Sequence, residues 1–159
     1  MKNKVQKNNA PPVLQLDRFL PYRLSTLSNR ISGIISETYK DKFGLSIAEW
    51  RIMAVLGQYP GASADEVSAR IQIEKSIISR ALQKLLARHL VSRQVDTNDR
   101  RRQNLTLTDT GMDIYSQIVP VSYDYEQALL DCLSEQERSI FNGLIDRLNE
   151  HAQHIDISG

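Results

Sequence analysis

Residues 95–108, VDTNDRRRQNLTLT, decide the fold. Before them, residues 91–95 (VSRQV) alternate at period two, as a half-exposed strand does. Asp96, Thr97, Asn98 and Asp99 are turn residues. Arg100, Arg101 and Arg102 follow, and Asn104 to Leu107 alternates again. The segment is a two-stranded ribbon with an arginine-rich tip. Two short helical patterns, 64–71 and 75–89, lead into it. Two close-set helices and a basic hairpin read as a winged helix-turn-helix.

Within the ribbon, Asp99-Arg100-Arg101-Arg102-Gln103-Asn104-Leu105-Thr106-Leu107-Thr108 resembles the D-x-R-x-x-x-hydrophobic-x-L-T wing signature of MarR-type transcriptional regulators. The resemblance extends over roughly residues 16–151. It implies a mainly α-helical homodimer with a small β-wing, whose affinity for DNA is set by a small molecule. It also implies that Arg101 enters a minor groove and that Asp99 fixes its guanidinium. A narrow groove concentrates negative potential, which suits a planar, weakly hydrated cation. Arg100 and Arg102 alternate away from Arg101, toward phosphates.

The chain has 159 residues, 41 % of them apolar, with a net charge of +1. Length predicts a single domain, 1–159. Within it, about 1–12 reads as a disordered tail, 46–108 as the winged-helix DNA-binding region, and 13–43 and 109–155 as dimerisation helices. Charge distribution says more than net charge. Between Arg70 and Arg102 nine cations face three anions, a net of +6, so the remainder carries −5. A basic patch on a slightly acidic body is the footprint of a nucleic-acid reader. No signal peptide or membrane-length apolar run is visible. The single cysteine excludes an internal disulfide and fits a cytoplasmic protein.

The first helical pattern runs from Leu16 through Ile35 to about Phe43, with Pro21 tolerable only near its start and Gly44 as its terminator. Ser46-Ile47-Ala48-Glu49 is a capping box for a second, mostly apolar helix, stopped by Pro60-Gly61. Ser63-Ala64-Asp65-Glu66 is another. In the helix after it, Ile78, Ala81, Leu82, Leu85 and Leu86 form an inner stripe. Lys75, Ser76, Ser79, Arg80, Gln83 and Lys84 face outward, as donors to phosphates and base edges would. His89 stands where the resembled family usually has glycine, and reads as a strained cap. Thr108 opens a fifth helix, which Pro120 is expected to kink or break. Ser134-Glu135-Gln136-Glu137 opens a last one, with Ile140, Phe141, Leu144, Ile145 and Leu148 on one face. Together with Leu16, Phe19 and Leu20 these exceed what a small head buries, which predicts a two-fold interface. Twin heads would then meet successive major grooves of a pseudo-palindromic operator about 34 Å apart.

No nucleophile–base arrangement, phosphate loop or metal-hydrolase motif occurs, so no residue supports an enzyme. No cofactor is expected. Cys132 lies in an apolar stretch without a nearby cation and reads as a structural thiol. In the peroxide-sensing branch of the resembled family the reactive cysteine lies near the start of the first long helix, where this chain has none. His151 and His154 lack a third and fourth ligand for a metal. An effector site is read at Ser28, set in the stripe of Leu24, Ile31 and Ile35, with Trp50 and Arg51 on the second helix. There an aromatic ring can stack and a carboxylate can pair. The alternative is that Ser28 bonds its own backbone and Arg51 pairs with a helical carboxylate. Phe19-Leu20-Pro21-Tyr22-Arg23-Leu24-Ser25 and Ala48-Glu49-Trp50-Arg51 are similar to regulators of aromatic-acid catabolism, including the hydroxycinnamate-responsive branch. That resemblance implies an aromatic carboxylate or its CoA thioester as effector. A redox- or metal-responsive regulator on this scaffold, and a winged-helix protein-interaction module, are the competing classes.

The wing reading generates a test over a salt series. Arg100→Ala should weaken all duplexes alike and reduce the salt slope by about one unit. Arg101→Ala should lose more affinity on A·T-flanked than on G·C-flanked sites, and Asp99→Ala should partly copy it. Equal loss for Arg101→Ala on both flanks would contradict minor-groove entry.

Overall fold

The computed structural model describes residues 12–95 and 103–156. Six helices and two strands follow in the order α1 (Leu20–Phe43), α2 (Ile47–Gln58), α3 (Ala64–Ile71), α4 (Lys75–Ala87), β1 (Val91–Val95), β2 (Gln103–Leu107), α5 (Asp109–Leu130) and α6 (Glu135–Ala152). The wing turn and its tip, including Asp99, Arg100, Arg101 and Arg102, lie outside the described residues, as does the N-terminal tail before Pro12.

The helix starts are set locally. Ser46, Ser63 and Ser134 each accept a hydrogen bond from the N3 amide, and Glu49, Glu66 and Glu137 each return one to the cap amide. The hydrogen bonds from Ser134 hold the Glu137 carboxyl below its ordinary pKa. Pro21 sits in the first turn of α1, where a missing N–H costs nothing. A short turn at residues 16–18 precedes it. Gly44 ends α1 in the left-handed region at φ 62°.

The core lies between α2 and the elements around it. Ile52, Met53 and Leu56 of α2 meet Val67 of α3, Ile78, Leu82 and Leu85 of α4, and Leu105 of β2. β1 and β2 pair antiparallel, with Val91 opposite Leu107 and Val95 opposite Gln103. The Ser92 and Thr106 hydroxyls meet across the pair at 2.9 Å. The loop between α2 and α3 joins this sheet. The Gly61 amide donates to the Leu105 carbonyl at 2.8 Å, and the Leu105 amide donates to the Ala62 carbonyl at 3.0 Å. The wing is thereby anchored to the body of the head.

α5 runs through Pro120 without a break. Proline frees the carbonyl four residues back, that of Ser116, and both residues are exposed, so water can satisfy it. α6 buries none of its residues within the chain. Its apolar face is left open, with Leu144 47 % and Leu148 49 % exposed. Arg138 ties its start to the end of α5 through the Leu133 carbonyl at 3.1 Å and Asp131 at 3.3 Å. No described helix is long and apolar enough to cross a membrane.

The end of α4 is fastened to the start of α5. His89 adopts φ 54°, and the Leu90 amide reaches back to the Leu85 carbonyl at 3.0 Å, closing α4 with a left-handed cap. The Leu90 carbonyl accepts from the Thr108 amide at 3.1 Å, and Gly111 lies against it. A Cβ at Gly111 would stand 2.0 Å from that oxygen. Gly111→Ala is therefore expected to cost about 2 kcal/mol through overpacking and to lower Tm by several degrees. Gly143→Ala meets nothing within 4 Å in the middle of α6 and should instead gain about 0.5–1 kcal/mol. Thermal melts of the two variants check both signs. A neutral Gly111→Ala would mean that the seam is loose.

Candidate nucleic-acid interface

α4 is two-faced. Ile78, Ala81, Leu82 and Leu85 are buried, while Lys75, Ser76, Ser79, Arg80, Gln83 and Lys84 are exposed. Ser76, Arg80 and Gln83, spaced i, i+4 and i+7, run along the middle of the outer side. Arg80 lies along the helix, its Nε donating to the Ser76 carbonyl at 3.3 Å. The Ser76 hydroxyl donates to the Glu74 carboxylate. Lys75 reaches Asp65 of α3 at 3.8 Å, both side chains exposed. Such a pair contributes little and yields readily to another anion.

The structure brings one further polar group, Arg93, to this face. A hollow of about 250 Å³ between α3, α4 and β1 is lined by Lys75, Ser79, Gln83 and Arg93. Gln83 follows from the outward stripe. Arg93 follows from strand alternation only once the hairpin's position beside α4 is known. Another cation leaves the patch. Arg88 donates to the Phe43 carbonyl at 2.6 Å and the Gly44 carbonyl at 3.2 Å, closing the C-terminus of α1. Arg70 stacks over the Tyr59 ring at 3.7 Å.

The expected effector residues fall on the far side of the head, where α1, α2 and α5 meet. Tyr39, Trp50 and Tyr115 form a ladder with ring centroids 5.7 and 5.9 Å apart. Gly57 makes room for it, because a Cβ there would meet the Tyr115 ring at 2.4 Å. Burial pushes the Tyr39 phenol pKa up, opposed by the nearby Arg51 guanidinium. Arg51 is half-buried and donates to the Ser32 hydroxyl at 3.1 Å. Among the described residues it forms no ion pair. Ser28 is a correction. It is exposed rather than inward, because α1 becomes covered only from Ile31 onward, and Ser32, one turn later, is the hydroxyl beside Arg51. Cys132 is likewise exposed, in the turn after α5, with its thiol directed at the Leu129 carbonyl at 3.6 Å. His151 and His154 are exposed at the end of α6, and no group of three metal-ligating residues occurs among the described residues.

A two-faced α4, a wing hydrogen-bonded to the α2–α3 loop and long helices flanking the head define the architecture. The model of the MarR family matches residues 43–102, which start at the last residue of α1 and include α2, α3, α4 and β1. The chain has the winged-helix fold of MarR-type regulators. It is 27 % identical over 150 residues to the HTH-type transcriptional regulator PecS of Dickeya dadantii, covering 92 % of this chain and 90 % of that one. The crystal structure of a MarR/EmrR family transcriptional regulator from Acinetobacter sp. ADP1 superposes with a TM-score of 0.82 at 25 % identity, over 89 % of this chain and all of that one. The PcaV transcriptional regulator of Streptomyces coelicolor, solved in complex with its natural ligand, shares the fold with a TM-score of 0.74 at 22 % identity, over 89 % and 99 % of the two chains.

In this MarR-type head, Arg80 of α4 and Arg88 at the C-cap of that helix separate binding from folding. Arg80→Ala should weaken binding to a duplex selected by the protein from random sequence by about 1–3 kcal/mol, with Tm unchanged. Arg88→Ala should lower Tm, since it uncaps α1. Anisotropy titrations beside thermal melts check the pair. A Tm loss in Arg80→Ala matching its binding loss would make Arg80 a folding residue.

Proposed function

We propose that the chain acts as a homodimeric, cytoplasmic repressor that is released from a pseudo-palindromic operator by a small aromatic acid. The observation that carries this reading is the opposition of two surfaces. One is the polar, cationic outer side of α4. The other is the open apolar face of α1, α5 and α6, which nothing among the described residues covers. Apolar surface of that extent is costly in water and is relieved by a second copy. Two copies joined there present two α4 helices to successive major grooves about 34 Å apart. Lys75, Ser76, Ser79, Arg80 and Lys84 are the proposed contacts of α4. Arg100, Arg101 and Arg102 are those of the wing, with Asp99 steering Arg101.

The effector proposed is an aromatic carboxylate of the hydroxycinnamate kind, or its CoA thioester. Arg51, half-buried and with no carboxylate partner among the described residues, would take the acid, and Trp50, next to it in α2, would offer a ring. Ser32 already touches Arg51, and Ser28 lies one turn away on the same helix. That PcaV was solved with its natural ligand supports a ligand-responsive reading of this fold. The ligand acts only through a difference in affinity between two arrangements of the heads.

The test combines a thermal-shift screen of hydroxycinnamates and their CoA thioesters with release from the selected duplex. The ligand that raises Tm should also release the wild-type protein. Arg51→Ala should bind the duplex with unchanged affinity and need far more ligand for release. Full ligand response in Arg51→Ala would remove Arg51 from the site.

A further inference from the structure

We infer that Ile77 is a specificity-determining residue that selects thymine in the operator by contact with its C5-methyl group. The inference rests on the reading of α4 as the helix that enters the major groove.

Ile77 and Ile78 are adjacent in sequence and opposite in fate. Ile78 is 3 % exposed and belongs to the core, whereas Ile77 is 38 % exposed. A scattered exposed apolar residue is ordinary on a protein surface, so the setting decides. Among the described residues of the head, from Gly44 to Leu107, the exposed large hydrophobics are Tyr59, Ile77 and Val95. Tyr59 carries Arg70 on its ring. Val95 is the last residue of β1. Ile77 is the one that stands on α4. It is the third residue of that helix, and its neighbours on the exposed side are Ser76, Arg80 and Lys84.

The N-terminal part of a recognition helix is the part that meets base edges. Nearly everything a base pair presents in the major groove is a hydrogen-bond donor or acceptor, and the exception is the thymine methyl. Isoleucine has no donor or acceptor. Pressed against guanine, adenine or cytosine it desolvates polar atoms and returns nothing. Against a thymine methyl both partners lose apolar surface to water. Ser76 and Arg80, on either side, supply the hydrogen bonds that Ile77 cannot make. The three residues together favour a thymine flanked by bases read through donors.

The experiment uses the full chain and duplexes that it enriches from a random-sequence pool. The enriched duplex is then made with deoxyuridine replacing thymidine at one position at a time, which removes one methyl and leaves pairing intact. Wild-type protein should bind about fourfold more weakly when the contacted methyl is removed, the equivalent of ~0.8 kcal/mol for one methylene-sized group. Ile77→Ala should melt as the wild type does, bind the thymine duplex more weakly, and be indifferent to uracil at that position. Ile77→Val should keep part of the sensitivity. A wild type indifferent to uracil at every position, or an Ile77→Ala variant that keeps the full methyl effect, would overturn the assignment. A pool from which nothing is enriched would overturn the reading of α4 itself, and this one with it.

Discussion

The contact between the Leu90 carbonyl and Gly111 is the constraint on which the arrangement depends. The end of α4 and the start of α5 share one small knot of backbone. The Thr108 hydroxyl donates to the His89 carbonyl at 2.7 Å and accepts from the Gly111 amide at 3.0 Å. The Thr108 amide takes the Leu90 carbonyl. One threonine thus caps α5 and ties it to the end of α4. His89 pays in backbone strain at φ 54° for the turn that makes the meeting possible. With Gly111 against that carbonyl there is no room for α5 to slide, so a rotation of α5 carries α4 with it.

A second set of contacts fixes α1 to the same head. Arg88 closes the C-terminus of α1, and Lys42 of α1 reaches Gln117 of α5 at 2.9 Å. The aromatic ladder of Tyr39, Trp50 and Tyr115 threads α1, α2 and α5 together. Head and flanking helices therefore move as a unit near the junction. α6 and the first half of α1 stay exposed. In the proposed dimer those exposed parts would set the distance between heads, and Arg51 lies at the junction where the proposed ligand would bear on that distance. Packed junctions of this kind switch between discrete arrangements rather than deform smoothly.

Local chemistry made much of this fold legible. Each Ser-x-x-Glu pattern became a capping box because both of its hydrogen bonds lie within one turn. The alternation of residues 91–95 and the inner stripe of α4 were readable for the same reason, since periodicity alone reports which side is buried. Ser28 and Ser32 differ by one turn and share a periodic stripe, so only the position where α1 meets α2 separates them. Arg88 counts as one more cation of the basic segment until the end of α1 is placed beside it. The hydrogen bonds of Gly61 and Ala62 to Leu105 join residues more than forty apart in the chain and leave no local signature. Pro120 was expected to disturb α5, but the disturbance depends on whether the freed carbonyl is buried, which sequence does not reveal.

The central claim is that one chain holds half of a two-headed reader. The direct measurement is the native mass of the complex with a duplex selected by the protein, beside the mass of the protein alone. The account predicts a dimer in solution and two chains on one duplex. A single chain bound to each duplex, with a monomer in solution at micromolar concentration, would contradict it.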